Sequence, residues 1–193
     1  MNISIRTDAI KALANFVNPK ERREYLRGIV IDIKADKTEY SATNGCVLGI
    51  YQTRTITEDV EIKVLIPVDV VKSLKSDLCD LEISDKIFMI SGRSRFELMN
   101  IEKEYADFPD FKKAFPETVS GKPALFNAEY LTAFIKCAKY LKRKALGTDI
   151  YIHFNGETSA SPVDIGVEGF YGLIMPYRLP PKEYRNPFVK VAK

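Results

Sequence analysis

The order of hydrophobic periods repeats along this chain, and that repeat constrains the fold more than any single motif does. Residues 2–17 start with alternating apolar positions and then change to a helical period in which Ile10 and Leu13 share one face. Three alternating segments follow, "YLRGIVIDIKA", "EYSATNG" and "CVLGIYQT", with Asn44-Gly45 as a strong hairpin turn. One unit therefore consists of a strand, a helix and three further strands.

The same order of elements occurs twice more. In the second unit, "VEIKVLIPVDVVKSLKS" is a strand that passes into a short helix, and "DLEISD", "KIFMISG" and "SRFELMNI" are strands. After a proline-rich connector, "YADFPDFKKAFPETVSGKP", the third unit has the strand "KPALF", the helix "NAEYLTAFIKCAKYLKRKAL" and the strands "DIYIHFNG", "SPVDIGVEG" and "FYGLIMPYRL". The predicted fold class is α+β, a repeat of strand-helix-strand-strand-strand units with the helices on one face of antiparallel sheets.

Composition fits a chain that packs a core in a reducing compartment. Of the 193 residues, 46% are hydrophobic, which is enough for a globular protein. Cys46, Cys79 and Cys137 are odd in number and far apart, as expected of free thiols. "MNISIRTDAI" lacks the basic head and apolar run of a signal peptide, and no stretch approaches the ~18 apolar residues of a membrane span. We expect a soluble, cytoplasmic protein without a membrane partner.

Positive charge is concentrated on the third predicted helix. Its apolar stripe consists of Tyr130, Leu131, Phe134, Ile135, Ala138 and Leu141. Its basic side chains are Lys136, Lys139 and Arg143 on the opposite face, and Lys142 and Lys144 near the end. Five basic residues and one acidic residue, Glu129, give residues 127–146 a surplus of four, which exceeds the net charge of +3 of the whole chain.

Two interpretations of this charge remain open. Lysine and arginine on a helix can replace the counterions of the DNA backbone, which would give binding independent of sequence. The same residues are also typical of a solvated face whose cations complement the dipole at a helix C-terminus. Lys11 on the first predicted helix, and Lys72 and Lys75 on the second, also lie away from the apolar stripes. Because all three helices are basic on their open side, the DNA interpretation is about as well supported as the other.

No catalytic constellation is visible, so no catalytic residue, cofactor or metal site is predicted. The only histidine, His153, lies on the strand face opposite the aliphatic row and is expected at the surface. The chain has no Gly-rich phosphate loop, Walker lysine or G-x-S-x-G motif. "SGRSRF" could bind a phosphate or a carboxylate, and Asp107 and Asp110 are expected to cap turns.

The order of short motifs resembles the bacterial DNA sliding clamp family, the beta subunit of DNA polymerase III. "REYLRGIVIDI" is similar to that family's Tyr-Leu-Asn-Gly strand, and "SATNGCVLGIY" stands where it has Ala-Thr-Asp-Gly-His-Arg-Leu-Ala. "VLIPVDVVKSLK", "SGRSRFELMNI" with "ADFPDFKKAFP", and "LFNAEYLTAFIKCAKYL" follow in family order. "GLIMPYRL" is close to the family's terminal Val-Met-Pro-Met-Arg-Leu. The resemblance implies a sliding-clamp (DNA clamp) fold, helices that line a central hole around double-stranded DNA, and a non-enzymatic processivity factor.

The resemblance also implies a peptide-binding groove for DNA polymerase and other replication proteins. The positions that match the family's groove are Thr43, Gly45, Val47, Leu48, Met175, Pro176, Arg178 and Leu179. The alternative is that Met175 and Pro176 only close the protein's own core. The family's His-Arg pair is Cys46-Val47 here, so the groove is expected to be more apolar.

The chain is shorter than a family subunit, which has three domains. The resemblance implies a complete clamp-like domain in residues 1–119, half of another in 120–180, and a C-terminal tail in 181–193. A dimeric ring of the usual kind is therefore not expected, and a ring of twelve units would need about four chains of three units.

Two functions remain open. One is a reduced sliding-clamp-like DNA replication protein of a phage or other mobile element, which assembles as a homo-oligomer on DNA. The DNA contacts would come from Lys11, Lys72, Lys75, Lys136, Lys139, Lys142, Arg143 and Lys144. The other is an interaction module or decoy that binds clamp-binding peptides without encircling DNA.

Overall fold

Strand pairing organises this molecule. The computed structural model describes residues 1–55, 60–75, 77–105, 109–142 and 149–177. Its strands are β1 Asn2–Arg6, β2 Gly28–Ile33, β3 Lys37–Thr43, β4 Val47–Arg54, β5 Ile62–Pro67, β6 Leu78–Ile83, β7 Ile87–Ser91, β8 Ser94–Asn100, β9 Tyr151–Ile152, β10 Ser161–Asp164 and β11 Phe170–Ile174. Its helices are α1 Thr7–Leu13, α2 Val68–Val71, α3 Ile101–Glu104 and α4 Ala128–Lys142. The described strands form one open antiparallel sheet in the order β1-β6-β7-β8-β5-β2-β3-β4-β11-β10-β9.

Strand exchange joins the first two units. β1 pairs with β6 of the second unit, and β5 pairs with β2 of the first. β8 joins β5 through only two pairs, Val64↔Asn100 and Leu65↔Met99. The third unit is attached through β11, which pairs with β4 from Phe170↔Tyr51 to Ile174↔Val47. The three predicted units are thus parts of one sheet, and the predicted α+β repeat is confirmed.

The main core lies on the sheet face that α1 and α4 cover. Ile29, Ile31 and Ile33 of β2 are fully buried there, as the alternation of side chains along a strand requires. In α1 every residue except Lys11 is buried, and α1 packs directly against α4. α4 begins after Asn127, whose Oδ1 accepts a hydrogen bond from the Glu129 N–H at 2.9 Å, a capping contact typical of helix N-termini.

Three aromatic rings join α4 to the rest of the core. The ring centroids of Phe16 and Phe134 lie 4.9 Å apart, and those of Phe134 and Phe170 lie 6.4 Å apart, both edge to face. Gly172 lets β11 approach this cluster, because a Cβ at that position would lie 2.6 Å from Phe134 Cε1. The third unit is therefore held by aromatic packing as well as by the β4–β11 pairing.

The opposite, outer face of the sheet carries smaller apolar clusters. Ile101 of α3 packs against Val30 and Leu65. α3 is a single turn that the sequence pattern did not predict, and it lies on this outer face, whereas α1 and α4 cover the other face. Ile101 points outward because it follows Met99 of β8 by two residues, and side chains two apart along an extended strand share a face.

Two predicted elements differ from the structure. α2 ends at Val71, so Lys72 and Lys75 lie beyond it and not within a helix; its three valines are weak helix formers. α4 is described from Ala128 to Lys142, and the predicted continuation to residue 146 falls on residues 143–148, outside the described part of the chain.

Residues 122–126, "KPALF", were predicted to form a strand and do not. Only isolated backbone bonds hold them, such as the 2.7 Å bond from the Tyr177 N–H to the Leu125 carbonyl. In the first two units the corresponding strands, β1 and β5, pair with the neighbouring unit. The third unit has no such neighbour in the described chain, so its first strand lacks a partner. No helix in the described ranges is long and apolar enough to cross a bilayer.

We expect the Phe134→Ala variant to lose about 3–5 kcal/mol of unfolding free energy, because it empties the aromatic cluster at a fully buried position. Tyr140→Ala, on the exposed side of the same helix, should change stability by less than about 0.5 kcal/mol. Urea unfolding measures both. Equal, small losses in the two variants would contradict the packing of α4 on the first unit.

Candidate functional site

The β4–β11 pairing brings together two segments that are distant in sequence. Val47 lies opposite Ile174, and Leu48 lies opposite Leu173. Beyond the last pair, the Met175 N–H donates a hydrogen bond to the Cys46 carbonyl at 2.8 Å. Because Leu48 and Leu173 point to the outer face, they form one apolar surface there, together with Ile50.

A groove of about 660 Å³ runs over this surface. Its floor contains Leu48 and Leu173, and the connector supplies a wall through Phe111 and Phe115, which pack on the same cluster. Ala160, in the loop before β10, contributes on the other side. The groove is therefore an apolar trough between three chain segments.

The rim of the groove is a hydrogen-bonded turn between β3 and β4. The Asn44 Oδ1 accepts bonds from the N–H groups of Cys46 and Val47 at 2.9 and 3.0 Å. The Thr43 hydroxyl donates to the Val47 carbonyl at 2.6 Å and accepts from the Gly45 N–H at 3.0 Å. Gly45 has φ +86°, in the left-handed region that favours glycine. The Thr-Asn-Gly sequence therefore determines the backbone shape of the rim.

The eight positions predicted for the groove have three outcomes. Five of them line it: Thr43, Gly45, Val47, Leu48 and Met175. Pro176 is buried and is not among the lining residues. Arg178 and Leu179 lie outside the described residues. The structure thus brings together both halves of the predicted groove.

Sequence reasoning missed the residues that give the groove its depth. They are Arg23, Tyr25 and Leu26 before β2, Pro109, Phe111, Lys113, Ala114, Phe115 and Pro116 of the connector, and Ser159, Ala160 and Leu173 near the third unit's strands. A signal was present in the connector, where the aromatic residues Phe111 and Phe115 lie four apart around Lys112 and Lys113.

An ion pair and a capping hydrogen bond hold the connector in place against the sheet. Lys112 Nζ lies 2.9 Å from the Oε2 of Glu39, a largely buried residue of β3. The hydrogen bond to Glu39 raises the pKa of Lys112 above its ordinary value. Asp110 caps the 3-10 turn Phe111–Ala114, with its Oδ1 accepting from the Lys112 N–H at 3.1 Å, as predicted for this acid. The other predicted capping acid, Asp107, lies outside the described residues.

α4 also contacts the groove edge. The neighbouring Cys46 side chain, and to a smaller extent burial, raise the pKa of Tyr130. Cys46 is half-buried and lines the groove. The first turn of α4 thus lies beside the turn that forms the rim.

Three of the residues predicted to contact DNA lie in the layer that contains α1 and α4. Lys136 and Lys139 are exposed on α4, and Lys11 is half-buried on α1; we call these three residues the basic helix face. None of them forms an ion pair with another residue of the described ranges.

The other predicted DNA contacts are not part of the basic helix face. Lys72 and Lys75 are exposed in the segment after α2, which meets α1 where the Thr7 N–H donates to the Asp77 carbonyl at 3.0 Å. The side chain of Lys142, and all of Arg143 and Lys144, lie outside the described residues.

A larger and more open concavity, of about 1260 Å³, lies at the other end of β4. Its Arg6 is bound to Asp8 by bonds of 2.9 and 2.6 Å and donates to the Tyr51 hydroxyl at 3.1 Å. These contacts connect the β1–α1 junction to β4, and the Arg6 guanidinium is already bonded to Asp8 and Tyr51. His153 is exposed, as predicted, and packs edge to face on Tyr151. No group of three potential metal ligands occurs within the described ranges.

The reciprocal strand exchange, the layered helices and the sheet that continues through β4 and β11 define a DNA-clamp architecture. Solved structures of bacterial DNA polymerase III beta subunits, the DNA sliding clamps, have this fold, and the chain shares it. No family model and no curated protein sequence matches the chain.

Three solved structures illustrate the likeness. With the sliding clamp of Bacillus subtilis the TM-score is 0.69 at 17% identity, over 93% of this chain and 64% of that one. With the beta subunit of Thermotoga maritima the TM-score is 0.65 at 12% identity, over 95% of this chain and 66% of that one. With the beta subunit of Borrelia burgdorferi, in complex with a natural product, the TM-score is 0.63 at 15% identity, over 93% of this chain and 63% of that one. The chain therefore spans slightly less than two thirds of the length of these clamps, and the resemblance seen in its motifs is confirmed at the level of the fold.

We expect the Lys112→Gln variant to lose about 0.5–1 kcal/mol of unfolding free energy at pH 8, the size of a partly exposed ion pair. Because the pKa of Lys112 is raised in the folded state, this contribution is present below its ordinary pKa of 10.5 and is lost as the pH rises through the raised value. Urea unfolding of both proteins between pH 8 and alkaline pH measures the difference. Lys113→Gln is the control, and a loss that stays constant with pH would contradict the assignment.

Proposed function

We propose that the chain is a non-enzymatic, sliding-clamp-like replication protein that binds partner peptides in the groove and DNA phosphates through the basic helix face. The observation that carries this proposal is the register of β4 and β11, which makes Leu48 and Leu173 neighbours beneath the aromatic wall of the connector. The clamp fold supports the replication role. The two contact surfaces are the finer part of the proposal.

The groove suits a short linear peptide. Its volume of about 660 Å³ is typical of sites that enclose a few side chains. Leucine and phenylalanine side chains line it, so the peptide should contribute apolar anchors. Cys46 and Val47 stand where the clamp family has His-Arg, and this difference favours apolar contacts at the rim.

Polar groups at the border can orient the peptide. Lys113 is exposed and lines the groove, and Arg23 lies at the rim, where Glu21 holds it at 3.0 Å. Two cationic groups beside an apolar floor favour a peptide that carries an acidic residue next to its apolar anchors. This pattern would distinguish partner peptides from purely apolar segments.

DNA contact would be electrostatic and independent of sequence. Lys136 and Lys139 project from the layer that contains α1 and α4, while the groove lies on the outer face. DNA and a partner peptide could therefore bind at the same time. Such binding should weaken steeply with salt, because each phosphate contact releases counterions.

A second candidate is an interaction module that binds the same peptides without encircling DNA. The observation that favours it is the length of α2, a single turn, which leaves Lys72 and Lys75 outside a helix. The cationic layer is then built mainly by two helices. Light scattering with and without DNA separates the candidates: a strict monomer in both conditions supports the module, and a closed oligomer supports the clamp.

Peptide binding should depend on the connector wall. We expect the protein to bind a fluorescein-labelled clamp-binding peptide of a bacterial replicative polymerase, with saturation below ~1 mM. Phe115→Ala should weaken binding at least about tenfold, because it removes an aromatic wall of the groove. The control is Phe154→Ala, an exposed ring that does not line the groove. Absence of saturation in fluorescence anisotropy, or equal effects of both changes, would refute the groove.

DNA binding should depend on the basic helix face. We expect binding to double-stranded DNA at ~50 mM salt that falls with a slope of about 0.9 in log affinity per phosphate contact. Lys136→Glu with Lys139→Glu should weaken this binding at least about tenfold and flatten the slope. Lys113→Glu with Lys122→Glu changes the net charge by the same amount at exposed positions outside α1 and α4 and serves as control. Equal losses in both variants would indicate only nonspecific attraction to net charge.

A further inference from the structure

β8 occupies in the second unit the place that β4 occupies in the first. Each strand follows a hairpin turn with a left-handed glycine, Gly92 at φ +61° and Gly45 at φ +86°. Counted from these glycines, Arg95 of β8 corresponds to Leu48 of β4. The two strands are therefore equivalent positions of an internal repeat.

The outer edge of β4 is paired with another strand, whereas most of the outer edge of β8 is not. β11 covers β4 along Val47–Tyr51, which corresponds to Ser94–Leu98 in β8. In the described part of the chain, that stretch of β8 pairs with β7 on one side and with no strand on the other. β5 reaches only Met99 and Asn100. An unpaired strand edge is a template for another strand, and no proline interrupts this one.

The hairpin register shows which backbone groups face the open edge. Ser91 and Ser94 close a two-residue loop, and such a loop closes on a hydrogen-bonded pair. Bonded and non-bonded pairs alternate along an antiparallel ladder. Residues 94, 96 and 98 therefore direct their backbone groups to β7, while Arg95 and Glu97 direct theirs outward.

This edge is complementary to itself. We propose that β8 pairs antiparallel with β8 of a second copy of the chain, about a twofold axis at Phe96. Arg95 then lies opposite Glu97 of the second copy, and Glu97 lies opposite its Arg95. Both pairs use the outward backbone groups, so the register satisfies the hydrogen bonds and the charges together.

Ion pairs within each chain would become part of longer rows of charges across the junction. Arg95 lies 3.1 Å from Glu82, and Glu97 lies 2.8 Å from Lys86. Pairing the two edges adds a carboxylate beside Arg95 and a guanidinium beside Glu97, so each row alternates in sign. A register centred on Arg95 would place two arginines opposite each other, which is unfavourable. The alternation of charge therefore selects the Phe96 register.

Phe96 supplies the apolar part of the contact. It is half-buried and packs at the border of the main core. At the axis, its ring would lie opposite the same ring of the second copy, and cross-strand aromatic pairs stabilise sheets. The contact would join two copies through the stretch of β8 that β5 does not cover and leave the groove open. The inference goes beyond the proposed function and does not require it.

Sedimentation equilibrium of the full chain between ~1 and ~100 µM tests the pairing. The mass should rise with concentration from 21.9 kDa toward twice that value. Arg95→Glu alone and Glu97→Arg alone each create like-charge pairs and should weaken the dimer at least about tenfold. The double variant Arg95→Glu, Glu97→Arg restores opposite charges across the axis and should dimerise again.

Glu82→Gln and Lys86→Gln are the controls, because they remove the ion pairs within the chain and keep the edge charges; they should dimerise like wild type. A four-chain species that the single reversals reduce to two chains would also support the edge, with a second interface elsewhere. A wild-type mass of 21.9 kDa at every concentration, or single reversals without effect, would overturn the inference. A monomer that still binds the peptide would overturn the pairing, while the proposed peptide binding in the groove would stand.

Discussion

The pairing of β4 with β11 is the interaction on which the rest of the structure depends. Its register sends Val47 and Ile174 to the main core and Leu48 and Leu173 to the outer face. A slip by one residue would exchange these faces, expose core side chains and remove the floor of the groove. The same set of backbone hydrogen bonds therefore holds the third unit in place and creates the candidate binding surface.

The two faces of the sheet carry different structural features. On one face, α1 and α4 bury the large core and carry the cations, and the aromatic cluster around Phe134 fixes their position. On the other face, the connector covers part of the outer apolar surface and leaves a trough beside it. In the clamp-like proposal, separate faces would let one sheet bind DNA and a peptide without competition.

Most of the fold could be predicted because its signals are local. The alternation in β2, the Asn44-Gly45 turn and the stripe of α4 are each visible in a short window of sequence. The connector could not be predicted, because its position depends on distant partners: Lys112 binds Glu39, and Phe111 packs across β4. Likewise, the strand expected at residues 122–126 does not form, because no neighbouring strand in the described chain pairs with it. For the groove, the sequence motif identified the rim and the last strand, while the wall arises only in three dimensions.

The central claim is that Leu48, Leu173 and Met175 form one peptide-binding surface. Methyl NMR of selectively labelled protein, titrated with a clamp-binding peptide, tests it most directly. The account predicts saturable shifts of the Leu48, Leu173 and Met175 methyl groups, while the fully buried Met89 in the core of the second unit stays unchanged. Saturable shifts confined to other methyl groups, or no shift at any peptide concentration, would contradict it.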